Sequence, residues 1–371
     1  MRIIGFGTYD TAKHPRVGII LDGLRGHGDD VVEVNAPLGF TTAERVAMLA
    51  KPWTAYRFGL RLPRRWATLT LAGRRARRAG RPDAVVVGYL GHFDVILARL
   101  LFPRDRIVLD QMIFAADTAI DRGVQSGLKL LLLRLIDSVA VRCADVVVLD
   151  TVEQADLLAP RRRAKAVVVA VGAPDSWFGT APDARDAPAD GPLRVVFYGL
   201  FTPLQGATVI GEAMRELGPD DDVEITLIGK GQDWDATRAV VGDQPNVTWR
   251  DWVEPHELPA IVAAHDVCLG IFGTTPKAQR VVPNKVYQGT AAGCAIVTSD
   301  TAPQRRALGD DAVYVPPGDA AALTKGLHEL AHDRTRVNAL RAAARGRAGE
   351  RFTASAIVGP LRQRLAEENT R

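Results

Sequence analysis

Acidic side chains are missing from one long part of this 371-residue chain: between Glu44 and Asp83 there is no aspartate or glutamate. That part carries Arg45, Lys51, Arg57, Arg61, Arg64, Arg65, Arg74, Arg75, Arg77, Arg78 and Arg81. The formal net charge of the whole is only +4, so the remainder is net acidic. Charge this concentrated belongs either to a surface for an anionic partner or to a solvated arginine-rich face. Cysteine is scarce too. Cys143, Cys268 and Cys294 are odd in number and far apart, which excludes a disulfide framework and a cysteine zinc motif and suits a reducing compartment. Long apolar runs are absent. The best candidate, Leu128 to Ile136, is interrupted by Lys129 and Arg134 and falls short of the roughly 18 to 20 residues of a membrane span. The opening Met1-Arg2-Ile3-Ile4-Gly5 passes straight into an apolar run, and no secretory signal is expected there. Adjacent carboxylates at Asp29-Asp30, Asp220-Asp221-Asp222 and Asp310-Asp311 sit in polar turns, where turn preference accounts for them. No metal site is expected.

What is present is a folded globular composition, 47% apolar and 24% charged, long enough for two or three domains. Short β-branched runs recur, each followed by a turn and a helical pattern. The first series is Arg2 to Gly5, Val31 to Val34, Ala84 to Val87, Arg106 to Leu109, Val146 to Leu149 and Ala166 to Val171. The second is Leu193 to Tyr198, Val223 to Ile228, Val247 to Trp249, Val267 to Gly270, Ala295 to Thr298 and Ala312 to Val315. Continuous apolar runs spaced by helices predict parallel strands covered on both faces, hence an α/β fold of two doubly wound, Rossmann-like domains. The proline-rich, aperiodic stretch at 179–192 predicts a linker between domains at 1–178 and 193–350. Residues 351–371 form a helical tail expected to cross back, with Gly346 and Gly349 as possible breaks before it. Ligands of such sheets bind beyond the carboxyl ends of the strands, so the interdomain cleft is the expected site.

Several junctions after strands carry suitable chemistry. Tyr198-Gly199-Leu200-Phe201-Thr202-Pro203-Leu204-Gln205-Gly206 brackets a loop with two glycines, which can bring N–H groups and a helix start onto a phosphate or be an ordinary turn. Gly229-Lys230-Gly231 ends another strand, and Arg250-Asp251-Trp252-Val253 follows a third. Pro283-Asn284-Lys285-Val286-Tyr287-Gln288-Gly289 opens a later helix. In the first half, Gly5-Phe6-Gly7 lacks the third glycine of a dinucleotide fingerprint, and Glu33 lies inside the second strand rather than at its end, so an NAD site is not expected.

In order and spacing these segments, with Ala144-Asp145-Val146-Val147-Val148-Leu149-Asp150 and Val171-Gly172-Ala173-Pro174-Asp175-Ser176-Trp177-Phe178, resemble the group 1 (family 4) glycosyltransferases of GT-B fold. The resemblance covers most of residues 140 to 300. It implies retaining transfer of a sugar from a nucleoside diphosphate, most commonly UDP or GDP, to an acceptor held by the first domain. No cofactor or metal is implied. For the donor side it points to Gly199, Phe201, Thr202 and Gln205 around the diphosphate, Gly229, Lys230, Gly231 and Trp252 flanking the nucleobase, and Gln288 at the ribose. The family usually has an arginine and a lysine where Phe201 and Gln205 stand, and a glutamate at Gln288. Compensation for the leaving group is therefore assigned to Lys285 and Arg280, with Lys277 in the same loop region. On the acceptor side, Gly7, His14, Arg16, His92, Asp110 and Asp117 follow strands facing the cleft, with Asp110 or nearby Asp117 placed to orient the acceptor hydroxyl and His14 and Arg16 placed to reach a phosphate or the acceptor. For His14, His92 and Asp110 a structural role stays equally open.

The basic segment leaves three readings: docking on an anionic membrane through residues 45–82, a site for an anionic acceptor, and a solvated surface. Pro52, Pro63 and Gly73 predict that it is broken into short pieces and not one long amphipathic helix. The functional expectation is a metal-independent, cytoplasmic glycosyltransferase, peripheral to a membrane if the segment docks there, with a small-molecule or lipid-linked acceptor. Its rivals are an atypical transferase of specialised metabolism and a noncatalytic nucleotide-sugar binder. No nucleic-acid-binding signature accompanies the charge.

Overall fold

A computed structural model describes residues 1–11, 14–39, 56–88, 91–180, 187, 191–218 and 221–369. The part of the basic segment at 45–55 and most of the linker fall outside these residues. Twelve strands form two six-stranded sheets. The first contains β1 (Arg2–Gly7), β2 (Asp30–Asn35), β3 (Ala84–Val87), β4 (Ile107–Asp110), β5 (Val146–Leu149) and β6 (Ala166–Val168), in the order β2-β1-β3-β4-β5-β6. The second contains β7 (Leu193–Tyr198), β8 (Val223–Ile228), β9 (Val247–Arg250), β10 (Val267–Leu269), β11 (Ala295–Ser299) and β12 (Ala312–Val315), in the order β12-β11-β10-β7-β8-β9. All pairings are parallel. Every run read as a strand from its apolar continuity is one. The reason is visible in β3 and β5: all four residues of each are buried, because helices cover both faces.

In each sheet the strand order reverses beside the first strand of the domain, between β1 and β3 and between β7 and β10. Those switch points open a crevice at the carboxyl ends of the strands. The two domains are joined by more than the linker. The helix Arg334–Arg351 packs on the second domain, and the helices Ala354–Ile357 and Gly359–Asn369 pack on the first. Ile357, Val358, Leu361 and Leu365 are buried among Ile3, Val17, Ile20 and Val148 of the first domain. Gly23 accommodates this return. A Cβ there would lie 2.1 Å from the Ala354 carbonyl oxygen. Gly346 and Gly349 do not break the tail. The helix continues to Arg351 and ends at Phe352, where Thr353 caps the next turn by accepting from the Ala356 N–H.

The basic segment departs from expectation. Tyr56–Ala79 is one 24-residue helix with Pro63 inside it. Proline removes one intrahelical hydrogen bond near the helix start, but a tertiary stripe outweighs that loss. Leu69 is buried, Trp66, Ala72 and Ala76 pack on the first-domain core, and the Trp66 indole donates to Asp94 Oδ1 at 2.9 Å. Gly73 is a contact point, not a breaker: a Cβ there would meet Phe6, Leu101 and Phe102 at ordinary distance.

Candidate active site

The loop after β7 is fixed by backbone packing. Gly199 has a φ of +135°, Gly229 of +119° and Gly206 of +65°. A Cβ on Gly229 would lie 2.1 Å from the Gly199 carbonyl oxygen, and one on Gly231 would lie 2.3 Å from that of Phe201. The two glycine-containing loops therefore lie directly against each other, with the Phe201 N–H donating to the Lys230 carbonyl at 3.2 Å. The need for Gly229 and Gly231 is thus met by loop-on-loop packing alone. The short turn Pro203–Gln205 then leads through Gly206 into the helix Ala207–Glu216.

Phe201 does not line the loop. Its ring is buried in the domain core, edge-on to Phe197 at 5.4 Å between centroids and near Trp249 at 6.2 Å. Burying an aromatic ring is more favourable than presenting it to a charged ligand. Gln205 has the more consequential place. Its Oε1 accepts from Lys285 Nζ at 2.5 Å. Lys285 lies in the first turn of the helix Asn284–Ala291, is 4% exposed, and has its ammonium 3.6 Å from the centroid of the Phe197 ring. No carboxylate pairs with it among the described residues. Loss of solvation lowers its pKa to about 7. A buried cation without a counter-ion, at the positive end of a helix and beside Gly199, is a position that favours an anion.

Around it, Gln288 is nearly buried and its Oε1 accepts from the Tyr198 hydroxyl at 3.1 Å, while Tyr198 stacks on Trp177. Thr202 caps nothing by its side chain and is half-buried at the entry to the turn. Lys230 pairs with Asp251 at 2.7 Å and lies over the Trp234 ring. Trp252 is 65% exposed, its indole donating to Glu254 at 3.2 Å.

Across the cleft, the residues read as donor-side cation and acceptor-side acid meet each other. Arg280 pairs with Asp117 at 2.5 Å. Lys277 Nζ donates to Thr118 Oγ1 at 2.7 Å, Thr275 Oγ1 donates to Asp121 Oδ1 at 2.6 Å, and Thr151 Oγ1 donates to the Arg280 carbonyl at 2.6 Å. The 275–280 loop of the second domain is thereby latched onto the helix Ala115–Asp121 of the first. Arg280 is a strut in this arrangement, its charge already matched.

Arg16 and Asp110 also pair with each other, Nε to Oδ1 at 2.8 Å, and Arg16, 1% exposed, donates further to the Val169 and Ala170 carbonyls. Both are committed inside the protein. Asp110 therefore lacks the open approach that orienting an acceptor would need, and burial raises its pKa despite Arg16. His92 is buried, within 3.0 Å of Asp137 Oδ1 and 2.9 Å of Gln111 Nε2, so it ties the turn before the helix Asp94–Leu101 to the helix Leu128–Cys143 and to the loop after β4. Gly7, with a φ of +149°, opens a loop organised by Asp94, whose Oδ2 accepts from the Thr8 N–H and hydroxyl. The His14 N–H closes that loop on the Asp10 carbonyl at 2.9 Å. Glu33 accepts from the Tyr9 hydroxyl and pairs with Arg25.

One residue the sequence reading passed over is Asp150. It directly follows β5 much as Asp110 closes β4, and that positional rule would have found it. It is buried, its Oδ1 has no hydrogen-bond partner, and desolvation raises its pKa to about 6 against the lowering influence of Arg16. It lines an interdomain cavity of about 170 Å³ with Tyr287, Arg306 and Phe352. Among the described residues no three His, Cys, Asp or Glu side chains converge as a metal site. No helix among them is long and apolar enough to cross a membrane.

The fold has known counterparts. Sucrose-phosphate synthase from Thermosynechococcus elongatus superposes with a TM-score of 0.69 at 16% identity, over 100% of this chain and 98% of that one. HepE from Anabaena, in complex with UDP-glucose, gives 0.66 at 13% identity over 100% and 98%. An α,α-trehalose-phosphate synthase (UDP-forming) from Burkholderia vietnamiensis gives 0.62 at 13% over 98% and 96%. No curated protein matches the chain. Residues 192–333 match the family model of glycosyl transferases group 1. The second domain is thus similar to the group 1 glycosyl transferases, within a chain that has the two-domain GT-B fold over its whole length.

Proposed function

We propose that the protein transfers a sugar from a nucleoside-diphosphate donor held by the second domain to an acceptor held by the first, with retention at the anomeric carbon and without a metal ion. The observation that carries this is Lys285, a buried ammonium with no matching carboxylate among the described residues, set in the first turn of a helix at the carboxyl end of β7. As the bond from sugar to diphosphate breaks, negative charge grows on the leaving oxygen. A preorganised cation and helix N–H groups held in a site of low polarity stabilise that charge without rearranging. Neutral Gln205 in place of a second cation keeps two ammoniums from competing in one pocket. Gln288 contributes hydrogen bonds but no charge to the donor. HepE, of the same fold, binds UDP-glucose, which makes UDP-sugars the first donors to test.

The test is a panel of UDP-, GDP- and dTDP-sugars, scored for binding by thermal shift and for turnover by release of the nucleoside diphosphate. Binding with turnover that persists in EDTA, and a product of unchanged anomeric configuration by NMR, is the expected result. No binding of any nucleotide sugar overturns the reading. Binding with neither transfer nor hydrolysis leaves the noncatalytic binder, which the engagement of Arg280 by Asp117 favours because that guanidinium is then not free for the leaving group.

A further inference from the structure

We propose that the outer face of three helices in the first domain docks on a bilayer rich in anionic lipid. The helices are Tyr56–Ala79, Asp94–Leu101 and Leu128–Cys143. They lie side by side on one face of the first sheet, because all three contribute buried residues to one core cluster: Leu69, Val95 with Ala98, and Ala140 with Val141. Helix Asp94–Leu101 is the middle one, packing against both others. Each buries one stripe inward, so the opposite stripes share one outer surface.

That surface is apolar where a solvated face would be polar. On Leu128–Cys143, Leu130, Asp137, Ala140 and Val141 point inward. Leu128, Leu131, Leu132 and Leu135 recur at helical spacing on the other side. Leu100, one helical half-turn pair away from buried Ala98, and Leu71, likewise from buried Leu69, extend the same layer. The six leucines keep between 49% (Leu132) and 72% (Leu100) of their surface exposed. Single exposed leucines need no explanation, but four on one helical stripe with two more on adjacent helices mark a contact site.

Charge selects the occupant. On the outward stripe with Leu71 lie Arg64, Arg75 and Arg78, all exposed and in no ion pair among the described residues. Lys129 and Arg134, also exposed, border the leucine stripe. No acid occurs in the segment to neutralise the arginines. Apolar side chains flanked by unpaired cations match the boundary of an anionic membrane, where leucines enter the acyl region and arginines meet headgroup phosphates. A second copy of the chain is disfavoured as occupant. A two-fold contact through this face would set arginines against arginines. The surface is separate from the cleft, so this inference stands or falls independently of the transferase reading.

The full chain is sedimented with vesicles of phosphatidylcholine containing about a third phosphatidylglycerol and with vesicles of phosphatidylcholine alone. The expected result is binding to the first, at least about tenfold weaker binding to the second, and release at ~1 M salt, where charges are screened within about 3 Å. Leu132→Glu with Leu135→Glu, and separately Arg75→Glu with Arg78→Glu, should each weaken binding at least about tenfold, with unchanged melting temperature because all four side chains are exposed. Failure to sediment with the anionic vesicles, equal binding to both vesicle types, or binding that neither double variant alters overturns the proposal. A concentration-dependent dimer dissolved by the leucine variant overturns it in favour of self-association.

Discussion

Lys285 Nζ is held 2.5 Å from Gln205 Oε1, so a residue of the β7 loop and the first turn of a helix more than 70 residues later form one unit. Of the two loop positions where the glycosyltransferase resemblance implies cations, Phe201 is turned into the core and Gln205 is the hydrogen-bond acceptor of Lys285. The ammonium is buried, short of solvation and matched by no carboxylate among the described residues, a costly state unless a ligand supplies the negative charge.

Replacement of Lys285 by methionine should therefore separate stability from binding. Lys285→Met removes an uncompensated buried charge, so the unliganded protein is expected to gain stability, on the order of 1–4 kcal/mol, at or below pH 7. Donor affinity and turnover should fall by about a hundredfold or more. The sign of the pH effect follows from the lowered pKa of about 7 against 10.5 for free lysine. Below pH 7 both folded and unfolded lysine are protonated and the full cost is present. As pH rises from 7 toward 10.5 the folded lysine is neutral while the unfolded one still binds its proton, so the advantage of methionine shrinks. Urea denaturation of both proteins from pH 6 to pH 10 measures it, and a methionine variant less stable at pH 7 contradicts the assignment.

The same lysine predicts how donor affinity varies with pH. A diphosphate beside Lys285 favours the ammonium and raises its pKa, so binding takes up a proton in the range between about 7 and the higher value in the complex. Affinity for a UDP-sugar should fall as pH rises above about 7, by up to about tenfold for each pH unit. Calorimetry in buffers of different ionisation enthalpy at pH 8 reads the proton uptake directly. Equal apparent enthalpies in all buffers would show that Lys285 does not meet the phosphates.

Pattern in the sequence reached the fold further than it reached the site, for a physical reason. Strands such as Ala84–Val87 and Val146–Leu149 are covered on both faces, so burial writes itself into four consecutive apolar residues. The helix Tyr56–Ala79 was hidden because Pro63 and Gly73 are local breakers whose effect is overcome by distant partners, Asp94 for Trp66 and the Phe6–Phe102 pair for Gly73. In the site, residue type and position after a strand single out Arg16, Asp110 and Asp117, and the family resemblance singles out Lys285 and Arg280. They do not reveal that Arg16 is matched by Asp110 and Arg280 by Asp117, pairings that span 94 and 163 positions and depend on how loops and domains meet. Phe201 shows the converse: a loop position does not fix which way an aromatic ring turns.

The interdomain latch should be measurable as a coupling. Arg280→Gln and Asp117→Asn each leave a partly buried charge unpaired, while the double variant leaves none. The double-mutant cycle is expected to give a coupling of about 1–3 kcal/mol. Hydrogen exchange in 115–121 should rise in either single variant, because Lys277–Thr118 and Thr275–Asp121 alone then hold the 275–280 loop to that helix. A coupling near zero would mean that the pair is solvated and exerts no hold on the domains.

Gly229 and Gly242 form a natural contrast. Both have a positive φ, +119° and +66°, but a Cβ at Gly242 would meet nothing within 4 Å, whereas one at Gly229 would overlap the Gly199 carbonyl oxygen at 2.1 Å. Gly242→Ala should cost only the conformational penalty of a backbone region open essentially to glycine, about 1–3 kcal/mol, with donor affinity unchanged. Gly229→Ala adds displacement of the β7 loop, for a total of about 2–4 kcal/mol. Because a Cβ on Gly199 would lie 3.5 Å from Lys285 Nζ, the loop borders that ammonium, and its displacement should also weaken donor binding. Urea denaturation and thermal shift with a UDP-sugar distinguish the two, and equal losses in both variants would refute the close packing of the two glycine loops.

Asp150 gives a prediction of opposite pH sign to the usual carboxylate. Its folded pKa of about 6 lies above the ordinary 3.8, so between these values the folded protein holds a proton that the unfolded chain has lost. Stability contributed by this group is present below pH 3.8, declines as pH rises toward 6, and is constant above, with a total change on the order of 3 kcal/mol. Asp150→Asn abolishes the titration while keeping the shape. The difference in unfolding free energy between wild type and variant should therefore move in the variant's favour from pH 4 to pH 6.5 and then level off. Subtracting the two proteins cancels the contributions of Asp29 and Asp300, whose lowered pKa values act in the opposite direction. A difference that does not change over this range would mean that water enters the cavity beside Tyr287 and solvates the carboxylate, removing the desolvation that raises its pKa.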